Sequence, residues 1–202
     1  MDNRKEEIVE VATKRFSHYG FNKTTMNEIA EDLRITKANL YYYYPDKNAL
    51  IKDVLYAIAQ EANQREVAII DGYDHNLMDT LFALLELRSS YVRKYYVLHL
   101  SENLEWIKGL ELTNVLIEFH KRDVSNVKRL LAKAIESGEV KIADIDCASL
   151  CFVEIVRGLG IMHNIADIVT GLPNVNKVDK ILESQKRATE FIFEGKIVSK
   201  QL

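Results

Sequence analysis

Apolar residues recur along most of this chain at the three- and four-residue spacing of an amphipathic helix. Ile8, Ala12, Phe16 and Tyr19 form such a face near the N-terminus, and similar patterns continue over much longer stretches. Glycine and proline make the turns of β-sandwiches and barrels, yet the chain has only eight glycines and two prolines in 202 residues. That is about 5%, against roughly 12% in average usage. The chain is therefore predicted to be all-α.

The overall composition is typical of a soluble globular protein. Hydrophobic residues make up 48% of the chain and charged residues 28%, which argues against disorder and against a disulfide scaffold. No apolar run approaches the ~18 residues of a membrane span, and the charged N-terminus does not resemble a secretory signal. Cys147 and Cys151 suit a reducing compartment. We therefore expect a cytoplasmic protein with no membrane partner.

The net charge of −3 is distributed unevenly along the chain. Residues 1–50 carry eight Lys or Arg and eight Asp or Glu, and the rest of the chain is more acidic. A broad positive field is absent, so a role on nucleic acid must depend on a few well-placed cations and on helix termini.

Side chains that cap helices divide the first 50 residues into short segments. Thr25 and Glu28 have the spacing of a capping box, and Thr36 is a plausible cap for the next helix. That helix must end before Pro45, because a residue that precedes proline is pushed out of the α region. Asp46 then caps a fourth helix. Three short helices, the last two joined by a tight turn, predict a helix-turn-helix module, with residues 1–46 as one domain and 47–202 as a second.

The second domain is predicted to consist of long helices. Their apolar periodicity, interrupted by glycine and proline, places them at about 47–70, 76–97, 101–107, 110–137, 144–169 and 176–194.

The third helix, TKANLYYYY over residues 36–44, has an unusual outward face. At 100° per residue, Leu40 and Tyr44 share the inner face, while Ala38, Asn39 and Tyr42 point away from it. A solvated helix face is usually rich in Glu and Lys, whereas this one offers a small residue, an amide and tyrosines. Such side chains can read base edges and contact sugars and phosphates.

The stretch from Ala12 to Leu50 resembles the N-terminal domain of the TetR-type transcriptional regulators. The residues that match the family's spacing are Ala12, Phe16, Gly20, Phe21, Thr24, Thr25, Ile29, Ala30, Leu40, Tyr41, Tyr43, Lys47 and Leu50. The resemblance implies an all-helical homodimer, with a helix-turn-helix domain before a long-helix bundle that dimerises. It also implies a ligand-responsive regulator, most often a repressor, that binds a palindromic double-stranded DNA operator and is released by a small-molecule effector.

The resemblance also implies roles for individual residues. Thr25 and Lys47 would contact phosphates, and helix N-termini do present free N–H groups to an anion. Lys37, Ala38, Asn39, Tyr41 and Tyr42 would lie in the major groove, and Tyr43 would reach the backbone. Two positions depart from the family pattern: Arg34 stands where the turn usually has glycine, and Ala38 where the recognition helix often does. Arg34 either accepts a positive φ at roughly 1 kcal/mol or adjusts the turn.

The segment 144–169 is apolar almost all round, and a helix of that kind must be covered on most faces. Burial against a second copy of the chain, in a four-helix seam with 176–194, is one solution. The residues predicted for this seam are Ile155, Leu159, Met162, Ile181 and Gln185. The alternative is that 144–169 is the central helix of a monomer.

An effector pocket between the long helices is implied by the resemblance, but no motif places it. Aromatic side chains with polar tips can both line and orient a ligand. From composition, the candidates are Tyr91, Tyr95, Trp106, Phe119, His120, Phe152 and His163; for the two histidines, an interior residue with satisfied hydrogen bonds is the simpler interpretation.

Other constellations predict no catalysis, no metal site and no cofactor. Cys147 and Cys151 stand one turn apart, but without further His or Cys in register we expect two small buried side chains. Arg157-Gly158-Leu159-Gly160 lacks the strand and third glycine of a dinucleotide fingerprint, so close helix packing is expected there. The five histidines are scattered, with no HExxH or Ser/His/Asp arrangement.

A second class of function remains open at this point. With a neutral N-terminal quarter, the chain could be a ligand-binding or interaction protein of the same fold that does not bind specific DNA.

Overall fold

The computed structural model describes residues 3–95, 112–170 and 177–198. Eight helices lie in these ranges: α1 (Asn3–Lys23), α2 (Met26–Asp32), α3 (Lys37–Tyr43), α4 (Lys47–Asp71), α5 (Leu77–Lys94), α6 (Leu112–Glu136), α7 (Ile145–Thr170) and α8 (Lys177–Phe193). Within the described residues the only β pairing is an isolated antiparallel bridge between Val140 and Ile197. The all-α prediction is confirmed.

Most predicted helices agree with the observed ones to within about three residues. The first helix, α1, continues past the apolar face that ends at Tyr19 and reaches Lys23 through a kink at Gly20, where φ is +81°. The short helix predicted near 101–107 lies outside the described residues. None of the described helices is long and apolar enough to cross a membrane.

The first three helices and the start of α4 enclose one hydrophobic core. Ile8, Phe16, Ile29 and Leu40 are fully buried in it, and Phe21 packs edge-on against Phe16 at 5.0 Å between ring centroids. The first turns of α4 complete this core through Leu50, Ile51 and Val54. We call residues 3–54 the head and the remaining described residues the body. The head therefore has a core of its own and is joined to the body by the continuous helix α4.

The turn between α2 and α3 is a Schellman motif. The Ile35 N–H donates to the Ala30 carbonyl and the Arg34 N–H to the Glu31 carbonyl, both at 3.0 Å. Arg34 takes the left-handed position with φ of +54°. The chain thus accepts a positive φ at Arg34 rather than adjusting the turn.

The body has a second core, built from α4 to α8. Leu81, Leu85, Leu130 and Val153 are buried at its centre. The loop after α6 packs against this core through Val140. In the same loop, the Glu139 carboxylate accepts from the Leu77 N–H at 2.7 Å and so caps the start of α5. The body is therefore a helical bundle in which the loop after α6 also holds the start of α5.

Candidate nucleic-acid interface

Local side-chain caps set both ends of the helix-turn-helix. The Thr25 hydroxyl accepts from the Glu28 N–H, and the Glu28 carboxylate accepts from the Thr25 N–H at 2.7 Å, which completes the predicted capping box. The Thr36 hydroxyl accepts from the Asn39 N–H at 3.1 Å and starts α3. The Asp46 carboxylate accepts from the Ala49 N–H at 2.8 Å and starts α4. These caps hold α3 as a separate short helix.

The inner face of α3 anchors it to the head. Leu40 is fully buried and Tyr44, the residue after the helix, is 2% exposed. The Tyr44 hydroxyl donates to the Asp53 carboxylate at 2.9 Å. Burial and this carboxylate both raise the pKa of Tyr44. The end of α3 is therefore fixed to α4 by a hydrogen bond as well as by packing.

The outer face of α3 is exposed and carries no carboxylate. Lys37, Ala38, Asn39 and Tyr41 are exposed, and Tyr42 is 82% exposed. The Lys37 ammonium lies 5.7 Å from the Tyr41 ring centroid. Several exposed aromatic side chains on one helix face form a patch, and such patches mark interaction sites. This face matches a surface that contacts base edges.

Tyr43 and Lys47 flank that face. Tyr43 is half-buried, with its ring edge-on to Tyr42 at 5.2 Å. Lys47, the first residue of α4, is partly buried, and burial lowers the pKa of its ammonium although the Glu28 carboxylate opposes this. The predicted phosphate-contacting residues Thr25 and Lys47 therefore lie close enough to share Glu28 as an electrostatic neighbour.

An ion-pair cluster behind the α2 N-terminus was missed in the sequence. Arg15 of α1 contacts the Asp32 carboxylate at 2.6 Å and the Glu28 carboxylate at 3.1 Å. Hydrogen bonds from the Thr25 backbone and hydroxyl, with Arg15 adding to them, lower the pKa of Glu28. No periodicity links these positions, because the two carboxylates come from a different helix. A phosphate at this helix terminus would lie near the Glu28 carboxylate, whose charge Arg15 and Lys47 partly offset.

The predicted effector residues converge only in part, because three of them lie at or beside one cavity. Tyr95 lines a cavity of about 940 Å³ between α1, α4 and the end of α5. Phe119 stacks edge-on against Tyr56, another residue of that cavity, at 5.7 Å. Tyr91 donates to the Glu61 carboxylate at 2.8 Å.

The remaining candidates lie elsewhere. Phe152 is buried in the body core against Phe193, and His163 shares a 3.0 Å hydrogen bond with Ser184 of α8. His120 is half-buried on α6, and Trp106 lies outside the described residues.

The predicted seam residues divide into two groups. Met162 is 66% exposed and Ile155 43% exposed, with Leu159 half-buried between them on α7. Ile181 is buried within its own chain, and the Gln185 amide donates to the Val156 carbonyl at 2.9 Å. Among the described residues, the outward face of α7 is thus mainly apolar and nothing packs on it, while Ile181 and Gln185 of α8 already contact their own chain.

Two expectations about α7 were wrong. Cys147 and Cys151 are exposed, not buried; their sulfurs lie 3.8 Å apart, and the hydrogen bond between them raises the pKa of the Cys147 thiol. Gly158 and Gly160 make no close helix contact, since a Cβ on either would meet no atom of the described residues within 4 Å. The helix was expected to be covered on most faces, and within the described residues it leaves the face with Ile155, Ile161 and Met162 exposed.

Comparisons with known proteins agree with this arrangement. Residues 8–54 match the family model described as bacterial regulatory proteins, tetR family. The HTH-type transcriptional regulator YhgD of Bacillus subtilis is 24% identical over 160 residues, which are 78% of this chain and 82% of YhgD. A relative named as a probable repressor of the acrEF/envCD operon in Escherichia coli is 26% identical over 93 residues, or 45% of this chain and 41% of that protein.

A solved structure extends the likeness to the whole fold. The crystal structure of a transcriptional regulator from Cytophaga hutchinsonii superposes with a TM-score of 0.84 at 23% identity, covering 98% of this chain and 100% of that one. The matched segment 8–54 coincides with the head and ends where its core ends. With a helix-turn-helix whose outer face is exposed, the head is a domain of the tetR family of bacterial regulatory proteins, and this chain is a DNA-binding transcriptional regulator.

Proposed function

We propose that the protein is a homodimeric repressor that binds a palindromic DNA operator in the cytoplasm and is released by a small-molecule effector. The observation that carries this proposal is the outer face of α3, which projects an amide, a lysine and tyrosines from a rigidly capped helix. One relative is named as a probable operon repressor, which supports repression rather than activation.

The open face of α7 supports the dimerisation that we propose. Ile161, Met162 and, on α8, Phe191 are 61%, 66% and 78% exposed, and large exposed apolar surfaces mark protein interfaces. A two-fold dimer would present two copies of α3, which must be about 34 to 36 Å apart to enter successive major grooves.

The effector is proposed to occupy the cavity between α1, α4 and the end of α5. Its walls include Tyr44, which ends the recognition helix, and Asp53, which accepts the Tyr44 hydroxyl. A ligand in contact with both residues would act directly on the orientation of α3. To weaken DNA binding ~100-fold, it must favour the incompetent state by about 2.7 kcal/mol.

Selection of bound sequences from random duplex DNA tests the DNA-binding part. We expect one palindromic consensus from the parent chain. Asn39→Ala and Tyr42→Ala should each change the preferred bases, whereas Tyr19→Ala, which removes an exposed tyrosine from α1, should keep the parent's consensus. A parent chain that enriches no sequence would overturn the proposal.

A thermal-shift screen of metabolites tests the effector part. A genuine effector should raise the melting temperature and release the selected operator. Ala57→Trp, which places a large ring at the cavity wall, should abolish both effects. If that variant responds like the parent, the effector site lies elsewhere.

The equal numbers of acids and bases in residues 1–50 favour a second candidate, a ligand-binding or interaction protein that does not bind specific DNA. A mobility-shift assay on the DNA upstream of its own gene, at two salt concentrations, separates the two. Binding that is equally weak on all duplexes and vanishes at the higher salt would support this second function.

A further inference from the structure

Cys147 and Cys151 form an exposed pair of thiols in the first two turns of α7. Their sulfurs are 3.8 Å apart and both side chains are exposed. The neighbouring buried residues Phe152, Val153 and Val156 lie on the opposite side of the helix. The pair therefore has no part in the body core, the head or the cavity.

The geometry opposes a disulfide within the helix. Residues four apart on a helix have Cβ atoms about 5–6 Å apart, whereas a disulfide needs about 3.5–4.5 Å between Cβ atoms and about 2.05 Å between sulfurs. Closing the bond would require the helix to distort.

One larger atom bound to both sulfurs fits without distortion. With bonds of about 2.3 Å to each sulfur, a separation of 3.8 Å corresponds to an angle of about 110° at the central atom. This angle belongs to a pyramidal or tetrahedral centre. A linear centre would need sulfurs about 4.6 Å apart at the same bond length.

The number of available ligands decides between a tetrahedral and a pyramidal centre. A tetrahedral ion such as Zn²⁺ takes four ligands, and no cluster of three or more His, Cys, Asp or Glu was found in the part of the chain that the structure describes. A trivalent arsenic atom that carries one organic group is pyramidal and needs two thiolates. We propose that Cys147 and Cys151 form a dithiol site for a monosubstituted trivalent arsenical.

The reaction balances without an oxidant or a reductant. An arsenical R–As=O forms two As–S bonds, and its oxygen leaves as water with the two thiol protons. Arsenic stays trivalent and sulfur keeps its oxidation state. The expected product is one R–As unit per chain, with both thiols consumed.

Phenylarsine oxide and the full-length reduced protein provide the test. Intact-mass measurement should show one phenylarsenic adduct per chain that survives excess glutathione and is removed by 1,2-ethanedithiol. Cys147→Ser and Cys151→Ser should each weaken binding at least 100-fold. The matched control is the double variant Cys151→Ser with Glu154→Cys, which keeps two thiols on the same face but two helical turns apart, and it should bind as weakly as the single variants.

Three results would overturn the assignment. The adduct on the parent chain is lost to glutathione, or the control double variant binds as tightly as the parent, or Zn²⁺ or Cd²⁺ binds one per chain and excludes the arsenical. The last result would show a tetrahedral centre instead.

A consequence for regulation depends on the proposed function. Cys151 lies one turn before Ile155 on the outward face assigned to the dimer seam, so a bound phenyl group should weaken self-association at least tenfold in sedimentation equilibrium. An unchanged dissociation constant would overturn this consequence alone. Adduct formation is measured by mass and requires neither DNA binding nor dimerisation, so a failure of the proposed function is distinguishable from a failure of the site.

Discussion

Single residues end two of the helices by the same backbone motif. Arg34 closes α2 and Gly138 closes α6, each with a positive φ and the same pair of hydrogen bonds to the preceding turn. Glycine adopts this conformation without steric cost, whereas a side chain adds about 1 kcal/mol or more of strain. The two positions thus form a natural comparison.

Arg34→Gly should stabilise the protein by about 0.5–1 kcal/mol, because it removes the strain of the left-handed conformation. Gly138→Ala should destabilise it by about 1 kcal/mol from backbone strain alone, since a Cβ there would meet no atom of the described residues within 4 Å. Urea unfolding of both variants measures these changes. A loss of stability in Arg34→Gly would show that the arginine side chain contributes more than its backbone costs.

Lys47 is the residue whose charge matters most for the proposed DNA contact. Lys47→Ala should lower affinity for every duplex and reduce the slope of log K against log salt by about one unit per subunit. Lys47→Arg keeps the charge and should keep the slope. Titration of operator binding against salt checks this, and an unchanged slope in the alanine variant would remove Lys47 from phosphate contact.

The lowered pKa of Lys47 adds a dependence on pH. Burial disfavours its charged form, so this ammonium loses its proton at a lower pH than an exposed lysine. Operator affinity of the parent should therefore fall in alkaline solution before that of Lys47→Arg does.

At the scale of helices, a buried polar network joins α4 to the rest of the body. Glu66 of α4 is 5% exposed and accepts from Arg88 of α5 through both carboxylate oxygens, at 2.7 and 3.1 Å. Asn126 of α6 donates to the same carboxylate at 3.1 Å. Arg157 of α7 reaches Asp123, beside Arg88. Because α4 also carries the head, this network ties the helix that bears the head to the rest of the body.

Glu66→Ala should destabilise the protein by about 3–5 kcal/mol, because it leaves Arg88 buried without its main partner. The double variant Glu66→Leu with Arg88→Met replaces both charges by apolar groups of similar size and should cost far less. Urea unfolding compares them. If the double variant is as unstable as Glu66→Ala, the network contributes more than charge compensation.

The network also predicts the response to acid. Burial raises the pKa of Glu66, but the hydrogen bonds and charges of Arg88, with Asn126 and Arg122, outweigh burial and leave that pKa lowered. The folded-state pKa is then below the unfolded value. The stabilisation is present above the unfolded pKa and is lost as pH falls through the folded one. Glu66→Gln should therefore flatten the acid limb of stability measured between about pH 5 and pH 2.

Sequence and structure agree best where interactions are local. The caps of Thr25, Thr36 and Asp46 join residues three apart, so their spacing alone predicted them. The Glu66 network joins residues 22 to 60 positions apart, and no pattern in the sequence pairs them. The same limit explains why only some of the predicted effector residues lie near the cavity.

At the scale of the whole molecule, the open face of α7 is the surface proposed for dimerisation. Met162→Glu should separate the proposed dimer, because it places a charge in an apolar seam while leaving the exposed position free to fold. Ile117→Glu, on an exposed apolar residue of α6, is the matched control and should stay dimeric. Sedimentation equilibrium measures both. A dimeric Met162→Glu variant would place the interface elsewhere.

The amino-acid sequence by itself determined the helical class, the helix ends and the outer face of α3. These depend on periodicity and on contacts within one or two turns, which are written in consecutive residues. Only the tertiary structure decided which side of α7 stays uncovered, that the two thiols lie on that side, and that Glu66 meets Arg88. Those outcomes depend on how helices distant in the chain pack together, and composition alone cannot specify which faces meet.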